Sequence, residues 1–243
     1  GDRSYTANWK AITYTISYEL DGGAVTGTPG NPDSYTIESE AITLQNPTKE
    51  GYEFLGWTGE GLEEPTQDLV IPAGSTGNRT YRANWELAEY TISYNLNGGE
   101  DVGNQRTYTI NDEVYLESPI KEGYEFLGWT GTGLEEVTLE VIIPTGSTGD
   151  RSYTANWKAI TYTISYELDG GAVAGTPGNP DSYTIESEAI TLQNPTKEGY
   201  EFLGWTGEGL EEPTQDLMIP AGSTGNRTYR ANWELAEYTI SYN

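Results

Sequence analysis

Four Ala-Asn-Trp triplets end at Trp9, Trp85, Trp157 and Trp233, spaced by 76, 72 and 76 residues, and between them the stretch Lys49–Gly59 returns almost letter for letter as Lys121–Gly131 and Lys197–Gly207. A chain that repeats at this period is built from one supersecondary unit used again and again, each unit burying a small core of its own. Two unit types alternate, because residues 1–95 match residues 149–243 except at Thr26 against Ala174 and Val70 against Met218. The expected division is a first repeat of type A over 11–86, a type B repeat over 87–158 and a second type A repeat over 159–234. Residues 1–10 then read as the last strand of a preceding repeat and 235–243 as the first strand of a following one, so the chain reads as part of something larger.

Within the first unit, Tyr14, Ile16 and Tyr18 alternate with Thr13, Thr15 and Ser17, a period of two that marks a half-buried strand. Gly27, Pro29, Gly30 and Pro32 exclude both helix and central strand from 24–33 and leave a surface loop, which is three residues shorter in type B. Tyr35 and Ile37, then Ile42 and Leu44, resume the alternation, and the unit closes on Tyr81, Ala83 and Trp85. In the recurring aromatic stretch, strict alternation puts Tyr52 and Phe54 on one face and Leu55 and Trp57 on the other. That pattern predicts a central strand covered on both sides, with its aromatics filling the core; a ligand-stacking platform is the alternative. Every candidate helix is interrupted by Pro or Gly. The expected fold is therefore β-rich, tandem small domains with little or no helix, and the short connector Glu86–Glu89 predicts an end-to-end rod.

With 38 acidic against 12 basic residues the net charge is −26, which excludes nucleic acid and anionic membrane surfaces as partners. No run of apolar residues approaches the ~20 needed to cross a bilayer, and no secretory leader is recognisable at the N-terminus. Cys and His are absent altogether, which removes thiol nucleophiles, imidazole bases and the commonest transition-metal ligands, leaving carboxylates as the only plausible catalytic groups.

The string Pro47-Thr48-Lys49-Glu50-Gly51-Tyr52-Glu53-Phe54-Leu55-Gly56-Trp57, some thirty residues after Asp21-Gly22-Gly23 and some thirty before the closing aromatic strand, resembles the Listeria–Bacteroides repeat, also called the internalin B-type repeat. The resemblance covers essentially the whole chain. It implies a β-grasp-like module found in tandem on large secreted or wall-anchored bacterial surface proteins, often adhesins, and so an extracellular or cell-wall location. This chain departs from the β-grasp pattern in having no stretch suited to the packed helix.

Several residues were candidates for chemistry. Glu63 and Glu64 with Asp68, Glu135 and Glu136 with Glu140, and Asp21 offer oxygen ligands for calcium but lack the spacing of a calcium loop, so no metal site is assigned. A catalytic carboxylate pair needs a cleft that a unit of 72 to 76 residues has little volume to supply, so no catalytic or cofactor-binding residue is assigned and no enzyme is expected. Asn78-Arg79-Thr80 fits a glycosylation sequon and reads better as a turn into the last strand. Lys49, Lys121 and Lys197, with the triplet asparagines such as Asn84, raise an intramolecular Lys–Asn crosslink, which a solvated lysine disfavours. The function expected is a spacer or stalk that projects a distal adhesive domain; the alternative is a multivalent module binding host glycan or host protein. The expected partners are neighbouring repeats of the same chain, the chain itself being a monomer without membrane insertion.

Overall fold

The computed structural model describes residues 1–175 and 178–240, and among them there is no helix. The first repeat contains β1 (Thr13–Glu19), β2 (Ser34–Thr36), β3 (Ile42–Thr43), β4 (Tyr52–Gly59), β5 (Val70–Ile71) and β6 (Arg79–Leu87). Four of these form one sheet in the order β2-β1-β6-β4, and β3 pairs with β5 in a second, two-stranded sheet. β1 runs antiparallel to β2 and parallel to β6, with Ile16 opposite Arg79 and Tyr18 opposite Tyr81, while β4 runs antiparallel to β6. Parallel neighbours need a long crossover, and 20–78, with β2 to β5 in it, supplies that crossover where a helix is the commoner choice.

The same plan recurs. The middle repeat has β7 (Tyr90–Asn95), β8 (Thr107–Tyr108), β9 (Val114–Tyr115), β10 (Tyr124–Gly131), β11 (Ile142–Ile143) and β12 (Arg151–Ala159), in a sheet ordered β10-β12-β7-β8 beside the pair β9 and β11. The third has β13 (Tyr162–Glu167), β14 (Ser182–Tyr183), β15 (Ile190–Thr191), β16 (Tyr200–Gly207), β17 (Met218–Ile219) and β18 (Arg227–Leu235), ordered β14-β13-β18-β16 beside β15 and β17. By contact the chain divides into two compact units, one of Gly1–Ser93, Gln105–Leu116 and Val141–Ser152, the other of Tyr94–Asn104, Glu117–Glu140 and the chain from Tyr153 onward, so the division falls inside the middle repeat.

The core of the first repeat gathers Ile16, Tyr35, Leu44, Trp57, Ile71 and Tyr81, and Trp57 has no exposed surface. The third repeat buries the same set, and the equivalent positions Ile92, Tyr108, Trp129 and Ile143 of the middle repeat are buried too. The edge hydroxyls are anchored: Tyr35 donates to the carbonyl of Gly77 at 2.6 Å and accepts from Arg79 Nε at 3.0 Å, as Tyr108 does with Gly149 and Arg151 at 2.6 and 2.9 Å. In the 24–33 loop Asn31 makes a two-way clamp, donating to the carbonyl of Gln45 at 2.9 Å and accepting its N–H at 2.7 Å. Asn104 does the same to Glu117 at 3.0 and 2.8 Å from the shorter type B loop, so the clamp survives the change of length.

Two expectations are corrected here. β4 is the edge of its sheet, and β1 and β6 are the central strands. Strict alternation also fails in β4. The register against β6 shifts between Phe54 and Gly56, a bulge that puts one extra residue, Leu55, outside the ladder and leaves it exposed. Phe54 and Trp57 therefore share a face, their rings 5.5 Å apart and edge to face.

No strand forms at 1–10 or at 236–240, and Ser241, Tyr242 and Asn243 lie outside the described residues, as do Thr176 and Pro177 of the third repeat's long loop. The sequence of 1–10 is that of 149–158, most of which lies in β12, where β10 and β7 flank it on both sides. Identical residues form a strand where a ladder is available and none where it is not, because the backbone hydrogen bonds and not the local alternation complete the structure.

Candidate functional site

Each repeat carries one lysine against two aromatic rings. The turn Lys49–Tyr52 is closed by the Tyr52 N–H donating to the Lys49 carbonyl at 3.1 Å, which folds the ammonium over its neighbour's ring, Nζ lying 3.9 Å from the Tyr52 centroid and 5.8 Å from that of Trp85. Lys121 stands 4.0 and 5.9 Å from Tyr124 and Trp157, and Lys197 stands 4.0 and 5.7 Å from Tyr200 and Trp233. Lys121 and Lys197 also donate to the carbonyls of Asn97 and Asp169, each at 2.9 Å. A cation held this way at a partly exposed site contributes about 0.5–1 kcal/mol. Trp85 is fixed from behind, its Nε1 donating to the Leu20 carbonyl at 3.1 Å and its ring lying edge-on to Phe54 at 5.4 Å.

Around this lysine lies an open groove of about 450 Å³ that also touches Asp21, Arg82 and Asn84. Asp21 is consumed by Arg82, Nη2 to Oδ2 being 2.8 Å, and the third repeat repeats the pair as Asp169 and Arg230 at 2.9 Å. In the middle repeat Asn97 and Thr154 occupy those positions, and Asn97 instead donates to the carbonyl of Ala155 at 2.9 Å. All three, Asp21, Asn97 and Asp169, have φ between 46 and 49°, a conformation that Asp and Asn adopt more readily than other non-glycine residues, so the turn and not a ligand accounts for them. The groove offers a cation, two ring edges and a side-chain amide, which suits weak stacking or hydrogen bonding. It holds no nucleophile beside a base and no pair of unpartnered acids.

The other candidates are placed as follows. Glu63, Glu64 and Asp68 are exposed in the 60–69 loop, as are Glu135, Glu136 and Glu140, and among the described residues no three acids gather into a metal-binding group. Asn78 turns the chain into β6, its Oδ1 accepting the Thr15 N–H at 3.0 Å. Asn84 is turned to other work than a crosslink: its amide donates to the Gly56 carbonyl and to Thr58 Oγ1, each at 3.0 Å. Trp57 is core and not a platform; Tyr5, at 84 % exposure, lies in a segment with no strand. The lysine face itself was missed by reasoning from sequence, although a lysine three residues before a tyrosine in every repeat was a usable signal.

Comparison with known proteins agrees with this repeated plan. The family model for the Listeria-Bacteroides repeat domain matches three times, at residues 14–80, 90–151 and 162–229. The chain is 29% identical over 240 residues to a protein of Evansella cellulosilytica named as a Gly-rich membrane protein, covering 97% of this chain and 26% of that protein. A second protein of that organism, named as a membrane protein, is 30% identical over 211 residues, 83% of this chain and 30% of its own length. Internalin H of Listeria monocytogenes is 28% identical over 119 residues, 48% of this chain and 20% of the internalin. The chain thus spans a third or less of the length of each of these relatives. Three matches that together cover most of its residues, each on one copy of the two-sheet plan, place the chain in the Listeria–Bacteroides repeat family.

Proposed function

We propose that these repeats are non-enzymatic spacers in a large bacterial surface protein, holding a distal binding domain away from the cell envelope. The carrying observation is what the three repeats share and what they do not. The buried aromatics, the bulge in the aromatic strand and the anchored tyrosine hydroxyls recur in every copy, whereas the polar half of the groove changes from an Asp–Arg pair to Asn and Thr in the middle repeat. A part under selection for a ligand keeps its groove, and a part under selection for length keeps its core. The relatives named as membrane proteins and as an internalin support an envelope setting for such a part. The test is to delete or duplicate residues 87–234, one pair of repeats, within the full-length protein. The distance of the distal domain from the envelope is expected to change with copy number while the isolated distal domain binds as before. Unchanged reach would overturn the spacer.

The recurring lysine and its two rings favour a second reading, a weak multivalent site for host glycan or protein. A glycan array and host-protein screen of this chain, compared with a Lys49→Ala/Lys121→Ala/Lys197→Ala variant, separates the two. Binding by the chain that is lost in the variant favours the site.

A further inference from the structure

The lysine face of the middle repeat is not built by that repeat alone. An open groove of about 650 Å³ beside it is lined by Ile120, Lys121 and Tyr124, and also by Ile185, which belongs to the next repeat. Ile185 sits on the tight turn after β14, closed by the Ser187 N–H donating to the Thr184 carbonyl at 3.0 Å. It fills the space in front of Gly123: a Cβ on that glycine would fall 2.6 Å from Ile185 Cδ1 and 2.9 Å from its Cβ, so only glycine leaves room. The next residue, Glu186, accepts the Tyr124 hydroxyl at 2.9 Å, and that bond pushes the phenol's pKa up. Gly123 and Tyr124 close the Lys121–Tyr124 turn, and the Tyr124 ring is the one the ammonium covers.

The face of the first repeat is built the same way. Ile110 of the middle repeat fills the space in front of Gly51, its Cδ1 and Cβ lying 2.5 and 2.7 Å from where a Cβ on the glycine would be, and Gly51 precedes Tyr52, the ring under Lys49. The isoleucine is held differently here: its carbonyl accepts the Gly146 N–H at 2.7 Å within its own repeat, and Asn111 stands where the third repeat has Glu186. Behind each glycine the chain leaving the repeat is tied to the same turn, the Ala88 N–H donating to Gly51 at 3.0 Å and that of Ile160 to Gly123 at 2.9 Å. Each turn is thus clamped between the chain that leaves its repeat and the isoleucine of the repeat that follows. Each of the two contacts lies inside one compact unit.

We propose that the isoleucine after the second strand positions the lysine face of the repeat before it, so that the face is a property of two successive repeats and not of one. Ile110 sets the face of Lys49, and Ile185 with Glu186 sets that of Lys121. An isoleucine packed against the glycine leaves the turn one place to sit, and the turn carries both the ammonium and its first ring. The second ring, Trp85 or Trp157, is held separately by the ladder of its own closing strand. Releasing the isoleucine therefore frees the lysine and tyrosine to move away from a tryptophan that stays in place. The coupling holds for a spacer and for a binding repeat alike, and its test needs neither a ligand nor a measurement of reach.

The test is NMR of the segmentally labelled chain, reading the lysine side-chain protons, which the ring beneath them shifts upfield of free lysine, and the exchange of the amides tied to each turn. Ile185→Ala is expected to move the Lys121 signals towards those of free lysine and to speed exchange of the Tyr124 and Ile160 amides about tenfold. Lys197, in the same repeat as the substitution, should keep its shifts. Ile110→Ala is expected to act in the same way on Lys49 and on the Tyr52 and Ala88 amides, and to leave Lys121 unchanged. Ile185→Val, which keeps the branch at Cβ, should behave almost as the parent does. Glu186→Ala, a change at the surface, should move Lys121 less than Ile185→Ala does and bring the Tyr124 phenol back towards its ordinary pKa. Should Ile185→Ala speed exchange throughout β13 and β18, the third repeat has opened as a whole and Glu186→Ala carries the test in its place. An effect confined to the repeat that bears the substitution, or no change at the lysine before it, would overturn the proposal.

Discussion

The amide of Asn84 donates to the carbonyl of Gly56 at 3.0 Å, opposite the point where β4 loses register with β6. It also reaches Thr58 Oγ1 at 3.0 Å, so one side chain spans the bulge, and Asn156 and Asn232 repeat the bond to Gly128 and Gly204 at 3.2 and 3.1 Å. Asn84→Ala is expected to lower the stability of the first repeat by about 1–2 kcal/mol through the acceptors it leaves unpaired. Gly56→Ala should cost more, on the order of 3 kcal/mol, because φ is 139° and the new Cβ would meet the backbone of Thr66 and Pro65 at 2.6 and 2.7 Å. Urea denaturation gives the magnitude, and hydrogen exchange of the β4 and β6 amides shows which repeat has lost it.

That bulge also marks where the sequence stopped being readable. The alternation in β1 and β6 carried through, with Ile16, Tyr81 and Ala83 buried as the period of two requires, and Pro and Gly excluded helix. Counting by twos past Phe54 fails because one extra residue turns every following side chain to the other face. Gly56, a glycine inside an otherwise apolar strand, was the available warning. The edge position of β4 is a matter of which strand pairs with which, and that depends on the parallel pairing of β1 with β6, residues some sixty apart, to which a local pattern is blind. The lysine face was hidden for a related reason: Lys49 and Tyr52 are close in sequence, but Trp85 joins them only through the ladder.

Trp57 presents an unusual core residue, with no exposed surface and an indole N–H that has no hydrogen-bond partner, and Trp129 and Trp205 share both properties. Trp57→Ala removes the centre of the core and should cost on the order of 3–5 kcal/mol. Trp57→Phe loses part of the burial but also removes the stranded donor, whose desolvation costs about 1–3 kcal/mol, so the net change should stay within about 1 kcal/mol. Chemical denaturation of the two variants is the measurement. A phenylalanine variant as unstable as the alanine one would show that the N–H is satisfied in solution.

Alkali should act through Tyr18 and Tyr166. The Tyr18 hydroxyl donates to the Pro32 carbonyl at 2.7 Å, and burial first, then Tyr81 and Asp33, push its pKa up to about 12; Tyr166 is raised to about 12 by burial, Tyr229 and Asp181. A folded value above the ordinary 10 means the neutral phenol is favoured in the folded state. Its contribution is complete below pH 10 and is lost as pH rises from 10 through about 12. Tyr18→Phe should cost about 1 kcal/mol at neutral pH, and its difference from the parent should shrink across that window. Stability measured by denaturant at several alkaline pH values, with phenolate absorbance alongside, checks both halves.

Acid should act unequally on the repeats, because the middle one uses carboxylates where the others use neutral groups. The Thr91 N–H is taken by Asp150 at 2.8 Å, while the equivalent Thr15 and Thr163 donate to Asn78 and Asn226 at 3.0 Å. Likewise the Thr109 N–H is taken by Asp112 at 2.8 Å, where Thr36 and Thr184 use Ser39 and Ser187. These backbone bonds hold the carboxyls of Asp150 and Asp112 below their usual range, and the first repeat has one comparable acid, Glu60, lowered by the Thr80 N–H. A depressed folded pKa gives stability that is complete above the ordinary value near 3.9 and lost as pH falls through the folded one. Protonation elsewhere works in the opposite direction by relieving the repulsion of a chain at −26, so the overall melting curve is a poor readout. The Asp112→Ser/Asp150→Asn variant isolates the effect, since it borrows the neutral solution of the flanking repeats and leaves the other acids in place. Its stability relative to the parent should be constant above pH 5 and should rise on acidification below about pH 4. The amide shifts of Thr91 and Thr109 in the parent should titrate with midpoints below that of an ordinary aspartate, and midpoints at or above it would remove the basis for the unequal response.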